Sequence, residues 1–129
     1  MRFSTILICG LVVLVVAGAG LAHPAKDVKL DYNVDNHMLM VMAAHDTKDV
    51  TKHFVGTIQV DLNGEKVIEQ KFKSQPTADM QMGHYLINDA KIGDTLTITT
   101  ACNISGKKAV TLKIEKPKPA PSEGHGHGN

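Results

Sequence analysis

Apolar residues recur at every second position through most of the chain. Val28, Leu30 and Tyr32 alternate with Lys29 and Asp31; Leu39, Val41 and Ala43 alternate with methionines; Ile58, Val60 and Leu62 alternate with Thr57, Gln59 and Asp61. A period of two marks strands with one face turned to a core. Asn63-Gly64 follows the third run directly and predicts a tight hairpin, because both residues tolerate the backbone a two-residue turn requires. The chain then enters a fourth strand within Glu65 to Ser74, with Val67, Ile68 and Phe72 as its apolar members. Further runs cover Tyr85 to Ile87, Leu96 to Thr100 and Val110 to Ile114. No window carries a helical apolar stripe of useful length, and the β-branched content of Thr95 to Thr100 favours a strand. About seven short strands with turns every 8 to 12 residues predict an all-β fold, an immunoglobulin-like antiparallel β-sandwich. The chain has no Trp and only two Cys, which sets it apart from true immunoglobulin domains with their disulfide and core Trp.

The ends of the chain follow other rules. Met1-Arg2 carries one positive charge, Ile6 to Val16 is almost uninterruptedly apolar, and Ala17 to Ala22 is a small-residue run that suits a signal peptidase. Residues 1–22 therefore read as a cleaved export signal. The apolar run is shorter than the roughly 20 residues that span a bilayer. Cleavage after Ala22 makes His23 the first residue of an exported, periplasmic or secreted protein and leaves no membrane anchor. Residues 23–116 make one domain. Residues 117–129 are rich in Pro, Gly and His and read as an extended, disordered tail; His125 and His127 there are more often a solvated end than a metal site.

Composition narrows the partners. Lys plus Arg total 14 against 13 Asp plus Glu, for a formal net charge of +1, and removal of Arg2 brings the domain to neutrality. No block of like charge asks for nucleic acid or an anionic membrane. Of the two cysteines, Cys9 lies in the signal core. Cys102 is left alone in a compartment where thiols usually pair.

A lone exported thiol has an explanation in metal binding. His45 ends the second run on its core-facing parity, His53 opens the third run beside Phe54, and the two flank one polar loop. Cys102 closes the Leu96 to Thr100 run and begins the turn Cys102-Asn103-Ile104-Ser105-Gly106. Taken singly, a loop histidine is usually a surface residue, and Cys102 shares the parity of Leu96 and Ile98, as a small buried hydrophobe does. Taken together, two imidazoles and a thiol point to a metal.

These residues resemble the ferrous-iron domain of superoxide reductases and desulfoferrodoxins, which has two loop histidines and a Cys-Asn-x-His-Gly turn. The resemblance spans roughly Val28 to Ile114. It implies a mononuclear non-haem iron held by imidazoles and an axial cysteine, reducing superoxide with electrons from a separate donor. On that basis His45 and His53 match the loop histidines, Cys102 the axial thiolate, and His23-Pro24 the N-terminal histidine. Ser105 stands where the family has the turn histidine, and Asp46 where it has a proline. The family's superoxide-attracting lysine has Lys26, Lys48 and Lys52 as candidate substitutes, with Lys48 and Lys52 taken beside Cys102 as the candidate catalytic residues.

Other readings use other residues. His23, His45, His53 and Cys102 also make a four-ligand zinc set. Met38, Met40 and Met42, with Met80, Met82 and His84 at the same spacing, suit copper, and an exported copper-binding protein using them with His23 is the principal alternative; filler on a sheet face is the plainer use of methionine. A metal-free interaction module would leave Cys102 in the core. No catalytic triad, phosphate-binding glycine loop or glycosidase carboxylate pair is present to support hydrolysis.

Overall fold

The computed structural model describes residues 23–119 and 121; the export signal read at residues 1–22 and the histidines of the tail lie outside them. The described residues fold into seven strands without a helix: β1 (Asp27–Asn33), β2 (Met38–Ala44), β3 (Val55–Leu62), β4 (Glu65–Lys71), β5 (Met80–Leu86), β6 (Thr95–Cys102) and β7 (Lys107–Lys113). They form two antiparallel sheets, ordered β1-β2-β5 and β4-β3-β6-β7. The fold is a β-sandwich. Relative to the constant-type immunoglobulin arrangement, the fourth strand lies beside the third rather than beside the fifth.

Alternation builds the core, interrupted once where a register shift between Val55 and Thr57 puts Val55 three positions before Ile58 on the buried face. Leu39, Val41 and Ala43 of β2, Val55, Ile58 and Val60 of β3, and Leu96 and Ile98 of β6 are fully buried between the sheets, as period-two patterning requires when one face of each sheet is covered. The methionines of β2 consequently face outward. The predicted turn at Asn63-Gly64 is present, with φ of 50° and 85°, the doubly left-handed form that Asn-Gly favours.

Two strand bounds differ from the reading of the sequence. β5 begins at Met80 rather than near Tyr85, because pairing with β2 carries the alternation through Met80, Gln81 and Met82. β4 ends at Lys71, and Val67 is 44% exposed. As an edge strand, β4 has only one neighbour and less cover for its apolar residues.

Two inward-facing residues of β5 are unusual. The Tyr85 ring occupies the space beneath Gly83, so that a Cβ at Gly83 would collide with it. The Tyr85 hydroxyl is buried without a hydrogen-bond partner. Gln81 is better served: its Nε2 donates to the carbonyls of Val55 at 3.0 Å and Ser74 at 2.9 Å, tying β5 to the start of β3. That tie fixes the end of the sandwich where the histidines meet.

Candidate metal centre

His45 continues the inward parity of Leu39, Val41 and Ala43 one step past β2, so its ring enters the end of the core, where it is fully buried. The chain then leaves on a loop turned by Asp49. The Asp49 carboxylate accepts from Thr51 N at 2.9 Å and Thr51 Oγ1 at 2.7 Å, and its carbonyl accepts from Lys52 N at 3.1 Å and His53 N at 3.0 Å. The two Thr51 bonds hold the Asp49 carboxyl below the usual carboxylate range, and the bonds to its carbonyl turn the chain. They also bring His53 back to His45, with ring centroids 4.7 Å apart. His23, ahead of β1, supplies the third ring at 4.8 Å from His45 and 5.2 Å from His53. One nitrogen from each of the three lies within 4.8 Å of the others.

Gln75 sets the orientation and tautomer of His45. Its Nε2 donates to the carbonyls of His45 at 2.7 Å and Thr77 at 2.9 Å, so the amide oxygen must face the other way. That oxygen accepts from Val55 N at 3.2 Å and meets His45 Nδ1 at 3.0 Å. An amide oxygen only accepts, so Nδ1 carries the proton. In the neutral ring Nε2 is then the unprotonated nitrogen, and its 3.3 Å contact with the His23 carbonyl is a hydrogen bond only when the ring is charged and Nε2 also carries a proton. Burial holds the His45 pKa below the ordinary histidine value, against the hydrogen bonds it donates to the Gln75 amide oxygen and the His23 carbonyl, and the neighbouring His53 and His23 rings lower it further. A second proton on that nitrogen is therefore disfavoured.

His53 Nε2 is buried and has no hydrogen-bond partner. His23 Nδ1 lies 3.1 Å from the Pro24 carbonyl, a contact in which the nitrogen donates, leaving Nε2 as its acceptor nitrogen. Buried nitrogens without partners are rare and costly in protein interiors. A cation shared among the three rings would satisfy the His53 nitrogen, and an imidazole whose second nitrogen is oriented by a hydrogen bond, as in His45 and His23, is the usual form of a metal-bound histidine.

The turn after β6 builds this site through its backbone and its asparagine. Asn103 accepts from Phe54 N at 2.8 Å, donates to the Lys52 carbonyl at 2.9 Å, and sends its own N–H to the Phe54 carbonyl at 2.9 Å, gripping the chain on both sides of His53. Gly106, at φ 94°, lies against His23 and Pro24 so closely that a Cβ there would stand 2.6 Å from Pro24 N. One turn thus places both outer rings.

The remaining predicted residues distribute as follows. His23, His45 and His53 come together. Cys102 is buried and unpaired, opposite Val55 on β3; its thiol lies outside the group of three, 3.9 Å from Asn103 Oδ1. Lys48 lines a cavity of about 420 Å³ over the histidines, together with His23, Asp46, Thr47, Asp49 and His53. Lys52 is exposed and contributes its carbonyl to Asn103. Asp46 is paired with Lys26, whose hydrogen bond and charge hold the Asp46 carboxyl below the usual range. Gln75 carried no signal in the sequence, since a single amide in a loop has no periodicity to mark it.

No protein-family model and no curated protein sequence matches this chain.

Proposed function

We propose that this is an exported mononuclear metal protein whose metal is held by His23, His45 and His53, with iron as the resident ion. The observation that carries the reading is the buried, partnerless Nε2 of His53 beside the lone pair that Gln75 leaves on His45. Imidazole nitrogens suit iron, copper and zinc alike. Iron is preferred through the resemblance to superoxide reductases, which the two loop histidines and the Cys102-Asn103 turn carry.

Bound iron supplies a one-electron couple, and the reaction proposed is superoxide plus one electron and two protons giving hydrogen peroxide. The chain contributes the rest. Lys48, on the rim of the cavity, supplies positive charge where a small anion enters. Gln75 orients the His45 ring, and Asn103 fixes the chain on both sides of His53. The resemblance calls for a cysteine ligand at Cys102, whose thiol lies on the strand end opposite Val55 and outside the three rings, and Cys102→Ser tests that role separately from the three imidazoles.

The experiment is superoxide consumption by the iron-loaded full chain, with peroxide and dioxygen both quantified and a chemical reductant present. Reduction yields one peroxide per superoxide consumed and no dioxygen. Dioxygen evolution would indicate dismutation, and no reaction above free iron would leave the site without this activity.

A further inference from the structure

The chain has six methionines. Apart from Met1, all of them stand on one face of one sheet: Met38, Met40 and Met42 on β2, Met80 and Met82 on β5. The intervening residues Leu39, Val41, Ala43, Gln81, Gly83 and Tyr85 face the interior. The methionines are half-buried or, in Met82, 39% exposed. None belongs to the buried core.

Pairing of β2 with β5 sets Met40 opposite His84 and Met42 opposite Met82. Directly opposed residues on one face have Cβ atoms about 4.5–5.5 Å apart, within the span of flexible thioether arms. Met38, Met40 and His84 also line a cavity of about 180 Å³ on this face, together with Asp31. The second sheet shows what the chain places at outward positions elsewhere. The alternate positions of β6 are Thr95, Thr97 and Thr99, residues with higher strand propensity than methionine. A need for strand stability does not explain methionine on β2 and β5, and packing does not explain it on a face that no other sheet among the described residues covers.

We infer that Met40, Met42, Met82 and His84 form a second metal site, selective for a soft monovalent cation, Cu(I). Thioethers are neutral, polarisable and poor ligands for hard ions, and they select Cu(I). The square of three thioethers and one imidazole offers a soft ligand set. It shares no residue with the three-histidine centre, so neither site depends on the other.

The test uses the full chain labelled with ¹³C at the methionine methyls and titrated anaerobically with Cu(I), with Ag(I) as a redox-stable counterpart. The methyl signals of Met40, Met42 and Met82, assigned by single Leu variants, shift together and saturate at one equivalent. Leu preserves the apolar volume, so M40L/M82L stays folded by circular dichroism. In competition with a Cu(I) chelator it loses at least about 10-fold in affinity, the scale seen even for residues that only support a metal ligand. In His53→Ala the same methyl shifts persist. Methyl signals that do not move, or an affinity unchanged in M40L/M82L, would overturn the site and leave the face as an apolar contact surface.

Discussion

Gln75 accepts the Nδ1 proton of His45 at 3.0 Å and donates to that residue's own carbonyl at 2.7 Å. One side chain therefore orients the ring, chooses its tautomer and satisfies the adjacent backbone. Replacing Gln75 with Leu leaves His45 free to carry its proton on either nitrogen. Metal affinity falls by about 10 to 100-fold, the usual effect of losing such a support. The Val55 N–H and the His45 carbonyl lose partners as well, at about 1–3 kcal/mol each. Parallel metal titrations and denaturant unfolding of the metal-free protein separate the two effects.

Asn103 acts on His53 only through the backbone on either side of it. Asn103→Asp keeps the acceptor for Phe54 N and loses the donor to the Lys52 carbonyl. The expected result is weaker metal binding with an intact sandwich. Amide exchange checks it: protection falls at Phe54 and His53 while the β3 and β6 core amides stay protected.

Gly106 serves the third ring. At φ 94° and with Pro24 N in the space of its missing Cβ, Gly106→Ala strains the turn and pushes the His23 segment away. Affinity drops to what two imidazoles retain. The His45 and His53 ring signals still respond to metal by NMR, and the His23 ring signal no longer does.

Tyr85 gives a pH prediction independent of metal. Burial of its hydroxyl pushes the pKa up to about 12 from 10.0. The unfolded state thus loses the proton first as pH rises, so stability is unaffected by this group below pH about 10. It then declines by at most about 1.4 kcal/mol per pH unit up to about 12. Tyr85→Phe removes the unpartnered hydroxyl and with it that decline. The variant is stabilised by about 1 kcal/mol at neutral pH, since an unsatisfied buried group is lost. Chemical denaturation of both proteins between pH 7 and 11 measures this.

The strands were legible because alternation and the Asn63-Gly64 turn are local signals. Val67 misled, since an apolar residue in an alternating run does not reveal that its strand lies at a sheet edge. His45 and His53 were legible as strand-end neighbours of one loop. The position of the Cys102 thiol outside the three rings was not, because parity gives the face of a strand and not the distance across its end. Gln75 and the grip of Asn103 on His53 depend on contacts across about 30 and 50 positions of chain, which no local pattern encodes.

The central claim is a single metal held by three imidazoles. Anaerobic Fe(II) loading of the full chain, followed by metal analysis and competition titration, tests it directly beside His23→Ala, His45→Ala and His53→Ala. The account predicts one tightly bound equivalent per chain and at least about 10-fold weaker binding in each variant, a loss no smaller than that for supporting residues. Equal affinity in the parent and the His53→Ala chain would contradict it.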